Sequence, residues 1–141
     1  MSLVFLDTNI FIYLFEDAGQ PGERAARLVE RMAERKDRLA SSTLTLGEIL
    51  VKPLESGNTA LAARYEATLR SPEVLLIPFD AAASLRYAEI RHDRSIRSPD
   101  AIQLACAATV GCDLFVTNDA ALTRKTIQGI QFIVTLDNSP I

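Results

Sequence analysis

The chain has 141 residues, 48% of them hydrophobic, with 15 basic and 18 acidic side chains and a formal net charge of −3. That composition supports one ordinary domain with a real core and excludes a disordered chain. No apolar run approaches the roughly 20 residues that span a bilayer, and the start lacks the features of a secretion signal, so the expectation is a cytoplasmic protein with no membrane partner.

Residues 3–6 (LVFL) read as a buried strand, short and apolar without alternation. Asp7 ends it, and residues 9–15 read as a mostly buried helix. Gly19-Gln20-Pro21-Gly22 has the composition of a turn, and a helix is expected over 23–38. Residues 39–42 form a short strand candidate. A helix from Thr45 to about Lys52 is disturbed or ended by Pro53. Another follows over 58–70, with Asn58 or Thr59 able to cap it. Residues 74–77 (VLLI) read as a second clear strand between Pro72 and Pro78. A helix is expected from Asp80 to about Asp93. Ser98-Pro99-Asp100 opens the next helix with a capping hydroxyl, a preset φ and an acid in the first turn. That helix runs to Val110, and Gly111 stops it. Residues 114–116 read as a third strand, 119–125 as a short helix and 131–136 as a last strand.

Strands alternate with helices throughout, and most strands are apolar on both sides. This predicts a single α/β domain over 1–141, with a mainly parallel central sheet flanked by helices on both faces. Cys106 and Cys112 read as buried free thiols. A zinc site would need more ligands than the single histidine, His92, supplies.

In parallel α/β sheets, ligand sites gather beyond the carboxyl ends of the strands. Asp7 and Asp119 both follow a strand at that edge. Each can also be read as a helix cap, and Asp100 as an acid favoured by the helix macrodipole. Glu48 shares a helical face with Thr45, Lys52 and Glu55, opposite Leu46, Ile49, Leu50 and Leu54. Glu48 and Lys52 can therefore be an ordinary surface pair worth about 0.2–0.5 kcal/mol. Together the four acids say more. Four carboxylates at one strand edge repel one another and stay ionised only beside a cation. Their hard oxygen donors suit Mg²⁺ or Mn²⁺, and such ions serve phosphoester hydrolysis. Setting four acids aside in one site leaves 14 against 15 bases, so global charge does not decide for or against a nucleic-acid partner.

The segments FLDTNIFIYLF, STLTLGEIL, RSPDAIQLACA and LFVTNDAAL occur in this order over nearly the whole chain. Together they resemble the PIN domain, the ribonuclease fold of the VapC toxins of prokaryotic toxin–antitoxin pairs. The resemblance implies a PIN-like domain with an acidic pocket for Mg²⁺ or Mn²⁺. Matched motif by motif, it implies Asp7, Glu48, Asp100 and Asp119 as catalytic acids, with Asp7, Asp100 and Asp119 on the metal. Glu48 binds metal or orients the attacking water. Asn9 supports the first aspartate. Thr117 supplies the hydroxyl before the last acid, with Asn118 beside it. Thr8 is a weaker match and reads as a cap. The implied reaction is hydrolysis of RNA phosphodiesters to 5′-phosphate and 3′-hydroxyl products, without a covalent enzyme intermediate. The implied partners are RNA, a small antitoxin whose tail blocks the pocket, and a second copy of the chain in a homodimer.

Arg91, Arg94 and Arg97 stand before the SPD turn, where they can hold the RNA backbone. With His92 they can equally form a solvated, charged helix end. Phe5, Phe11, Tyr13 and Phe15 read as core rather than as base-stacking platforms. Three rival readings remain. A haloacid-dehalogenase-like phosphoryl-transfer enzyme would use Asp7 as nucleophile but wants a second acid where Asn9 stands. A receiver-like domain opens with paired acids, and here only Asp7 ends the first strand. A non-catalytic PIN-like module would bind RNA or protein and fail to bind Mn²⁺.

Overall fold

In the computed structural model, which describes residues 1–16 and 19–141, the strands are β1 (Leu3–Leu6), β2 (Arg38–Ser42), β3 (Val74–Ile77), β4 (Cys112–Thr117) and β5 (Ile130–Thr135). The helices are α1 (Thr8–Glu16), α2 (Gly19–Arg35), α3 (Thr43–Glu55), α4 (Thr59–Leu69), α5 (Ala81–Ile90) and α6 (Ser98–Val110), with a 3-10 turn over Ala120–Arg124. The strands form one five-stranded sheet in the order β3-β2-β1-β4-β5. Every neighbouring pair is parallel.

Alternation along the central strand divides the core. Val4 and Leu6 pack with Ile10, Phe11, Ala25, Leu28, Met32, Ile49 and Leu69, so α1 to α4 cover one sheet face. Phe5 faces the other way, among Ala83, Ile90, Ala101, Leu104 and Ala105 of α5 and α6. Its ring stacks on Phe115 of β4 at 5.0 Å, with 6° between the planes. Burial on both faces explains why these strands carry continuous apolar runs.

The chain builds outward from β1 to β2 and β3 on one side, then returns to place β4 on the other side of β1. A crevice therefore opens between the carboxyl ends of β1 and β4, where the strand order reverses. The site lies there.

Several expectations need correction. Gly19-Gln20-Pro21-Gly22 is not a turn but the first turn of α2. Proline is tolerated there because its missing N–H would have had no helical partner, and Gly22 is buried. The same helix stops at Arg35 rather than 38. Lys36 takes a left-handed φ of 62°, and Arg38 pairs in register with Leu3. Pro53 does not end α3, which continues to Glu55. The N-cap of α6 is Arg97, which makes no side-chain cap bond. Ser98 lies one residue inside, and its hydroxyl meets the Tyr87 hydroxyl at 2.7 Å. Asp100 in the first turn and Gly111 as C-cap, with φ of 67°, stand as expected. Asn58 caps α4 through the Leu61 N–H.

Candidate active site

Asp7 follows β1 directly, and its backbone N–H donates to Val116 O at 2.9 Å, which fastens it to β4. Thr117 ends β4, and Asn118 and Asp119 follow. Asp100 comes from the first turn of α6 and Glu48 from α3. These elements enclose a cleft of about 480 Å³ whose lining includes Asp7, Asn9, Glu48, Arg97, Asp100, Gln103, Asn118 and Asp119. All four acids singled out from the sequence thus reach one cleft.

Asp7 is its buried floor, with 7% of its surface exposed. Its Oδ1 accepts from the Thr8 N–H at 2.8 Å, and its Oδ2 accepts from Thr117 Oγ1 at 2.9 Å. Burial nonetheless dominates and lifts its carboxyl to about 6. The two hydrogen bonds favour the charged form, whereas Asp100 and Glu48 disfavour it by repulsion. Asp100 is half-buried and is also pushed up, chiefly by burial. Arg97 opposes that shift, and Asp119 and Glu48 add to it. The four carboxylates therefore feel one another. Asp119 also caps the 3-10 turn, its Oδ1 accepting from Ala121 N–H at 2.9 Å, so its capping role and its place in the cleft coexist. Among the described residues, no group of three or more His, Cys, Asp or Glu side chains is arranged to hold a metal ion directly. The four acids line one cleft without closing into a ready-made cage of ligands.

Thr117 is fully buried and makes two bonds, accepting from the Asp119 N–H at 3.1 Å while donating to Asp7. Asn9 Nδ2 donates to Asn118 Oδ1 at 3.1 Å, and Asn118 Nδ2 donates to Tyr13 Oη at 3.1 Å. Asn9 thus braces Asn118, next to Asp119, rather than bonding to Asp7. The three arginines part company. Arg97 lines the cleft. Arg91 turns back and donates to Ile96 O at 2.6 Å. Arg94 stands exposed between them. His92 is exposed, its Nδ1 against Glu89 O at 2.9 Å.

The model of the PIN domain matches residues 4–127 of this chain. The chain belongs to the PIN domain family. Within solved structures, this PIN chain is similar to VapBC2 from Rickettsia felis bound to a promoter DNA fragment, with a TM-score of 0.73 and 19% identity over 94% of this chain and 98% of that one. It is similar to DNA-bound VapBC from Salmonella typhimurium, with a TM-score of 0.70 and 20% identity over 96% and 99%. It is also similar to VapC20 of Mycobacterium tuberculosis, a sarcin–ricin loop cleaving toxin, with a TM-score of 0.68 and 20% identity over 89% and 97%. At these identities the likeness is one of fold. No curated protein matches the chain.

Sequence reasoning about this PIN chain missed the polar group beneath the cleft. Gln103, 2% exposed, donates from Nε2 to Thr8 Oγ1 at 2.9 Å and to Thr45 Oγ1 at 2.7 Å, and its Oε1 accepts from Ser42 Oγ. Thr8 Oγ1 in turn donates to Glu48 Oε1 at 2.7 Å. Thr8 is therefore not the expected cap: it lies inside α1, its hydroxyl contacts only side chains, and Glu48 takes its hydrogen bond from it. Among the described residues Lys52 forms no ion pair within 4.0 Å. A glutamine among alanines and leucines at 101–108 was the available signal, because a polar side chain there must find partners.

Beside the cleft runs a larger, mainly apolar groove of about 710 Å³ between α1, α3 and α4, sharing Ile12 and Glu48 with it. Val51 of α3 is 50% exposed along it. Among the described residues, no helix is long and apolar enough to cross a membrane.

Proposed function

We propose that this PIN-domain chain is a Mg²⁺- or Mn²⁺-dependent endoribonuclease, the VapC-like toxin of a toxin–antitoxin pair. The observation that carries the reading is the meeting of Asp7, Glu48, Asp100 and Asp119 in one cleft at the topological switch point, with Arg97 on the rim. Similarity of fold to VapC toxins supports the choice of RNA. The donor set fits a hard divalent ion: carboxylate oxygens, one of them pushed toward protonation by its burial and by the neighbouring acids, a cost that a bound cation would offset.

Asp7, Asp100 and Asp119 would hold that ion, in part through water. When bound, such an ion polarises a phosphoryl oxygen and lowers the cost of ionising water. The remaining work falls to the chain. Glu48, held by Thr8, orients the attacking water. Arg97 draws the RNA phosphate toward the acids and offsets their repulsion. Thr117 fixes the Asp7 carboxylate, and Asn9 holds Asn118 beside Asp119. Water opens the phosphodiester in line and the 3′ oxygen leaves, giving 5′-phosphate and 3′-hydroxyl ends.

The apolar groove sharing Glu48 with the cleft supports a small antitoxin as partner, because a chain laid along it ends at the acids. A homodimer acting in the cytoplasm completes the reading. The test is product chemistry together with metal binding. Purified protein is expected to bind Mn²⁺ and to leave RNA fragments that polynucleotide ligase accepts at their 5′ ends without prior phosphorylation. Cyclic-phosphate or 5′-hydroxyl ends would refute the hydrolytic scheme. Absence of Mn²⁺ binding would favour a PIN module that only binds RNA or protein.

A further inference from the structure

Glu48 sits on the exposed side of α3, where a glutamate ordinarily samples several rotamers. Its hold on the cleft depends on Thr8, and proton counting shows what Thr8 depends on. A hydroxyl has one proton to give, a carboxylate only accepts, and a primary amide has two protons on nitrogen. Thr8 gives its proton to Glu48 Oε1 at 2.7 Å. Gln103 Nε2 gives one proton to Thr8 and the other to Thr45. The contact of 2.9 Å between Thr8 and Thr45 therefore carries the proton of Thr45, since that of Thr8 is already used. These four bonds all point from Gln103 toward Glu48.

Turning the amide over would reverse this. Its oxygen would face both threonines and compete with Glu48 for the Thr8 proton. Ser42 disfavours the turn, which would take away the acceptor of its proton. Its hydroxyl donates to Gln103 Oε1 while its oxygen accepts the Thr45 N–H at 3.3 Å. The group also spans four elements: Ser42 ends β2, Thr45 lies in α3, Thr8 begins α1 and Gln103 lies three residues after Asp100 on α6. Gln103 is buried, and both ends of its amide are engaged within the protein.

We propose that Gln103 is a positioning residue for cleavage, fixing the Glu48 carboxylate in the cleft through the Thr8 hydroxyl. The proposal rests on the reading of Glu48 as the group that orients the attacking water. Displacing such a group by about 1 Å costs about 10²-fold in rate, so the effect belongs in kcat and leaves RNA affinity alone.

The test is a double-mutant cycle on Mn²⁺-dependent RNA cleavage, paired with metal-free crystal structures. Gln103→Leu is expected to lower kcat about 10- to 100-fold with KM little changed, and to cause no further loss when Glu48→Gln is already present. Thr8→Val is expected to reproduce the loss, and Thr8→Ser to restore activity. The Thr8 pair carries the test if Gln103→Leu does not fold. Equal losses from Gln103→Leu with and without Glu48→Gln would overturn the proposal and leave Gln103 a packing residue. The structures separate the two readings. If Glu48→Gln cleaves as well as the unaltered chain, the role of Glu48 fails. If Glu48 keeps its bond to Thr8 in Gln103→Leu, or stays in place in Thr8→Val, the positioning inference fails whatever the activity.

Discussion

Asp7→Asn is expected to abolish cleavage and yet make the metal-free protein more stable at alkaline pH. The unfolded chain gives up the Asp7 proton near pH 4 and the folded chain near pH 6, because burial raises this carboxyl. The folded state thus binds the proton more tightly. The stabilising effect of that proton is complete below pH 4 and is lost as pH rises through 6. By pH 8 the ionised carboxylate costs the fold about 3 kcal/mol relative to its state at low pH. Asparagine carries no charge and avoids that cost. It also replaces one acceptor by a donor in a place where Thr117 Oγ1 and Thr8 N–H both donate. One of those donors loses its partner, at a cost of about 1 kcal/mol. The net expectation is a gain of about 2 kcal/mol at pH 8 and a loss of about 1 kcal/mol at pH 4. Urea unfolding in EDTA at the two pH values measures both. A variant that is less stable by the same amount at pH 4 and pH 8 would show that Asp7 is only a hydrogen-bonded cap.

Glu48→Gln should reduce cleavage by about 10²-fold, whereas Lys52→Ala should leave it within about twofold, because an exposed i,i+4 partner contributes little. Rate constants for the two variants decide between a site residue and a surface pair. Arg97→Ala should weaken RNA binding and lower the slope of log affinity against log salt by about 1. Arg91→Ala should instead lower stability by about 1–2 kcal/mol, since its guanidinium holds Ile96 O; salt-titrated binding and thermal melts check the pair. Burial pushes the Cys106 and Cys112 thiols to about 11 and 12. Iodoacetamide at neutral pH should therefore spare both in the folded protein and modify both after unfolding, as read by mass spectrometry.

The sheet was legible because its strands are apolar on both faces. Residues 3–6, 74–77 and 114–116 announce a parallel sheet, and Asp7 and Asp119 mark its carboxyl edge. What escaped is what tertiary packing decides. The Gly19–Gly22 stretch has turn composition, yet α1 and α2 pack closely and Gly22 is buried, so contacts outweigh local preference. Ser98 looks like a cap because periodicity does not show that Tyr87 competes for its hydroxyl. The polar face of α3 was read correctly for Glu48, which is exposed, and incorrectly for Thr45, which is fully buried. A helical wheel gives direction but not what waits there. Thr45, Thr8, Ser42 and Gln103 come from distant parts of the chain, and only the fold brings their hydroxyls and amide together.

The most direct test of the account is cleavage of a mixed RNA pool by the purified protein, with Mg²⁺ or Mn²⁺ against EDTA, beside Asp7→Asn. The account predicts cleavage that requires the metal and disappears with the substitution, in a variant whose folding is intact. Cleavage that persists in EDTA or in Asp7→Asn would contradict it, and so would intact RNA in the presence of folded, Mn²⁺-loaded protein.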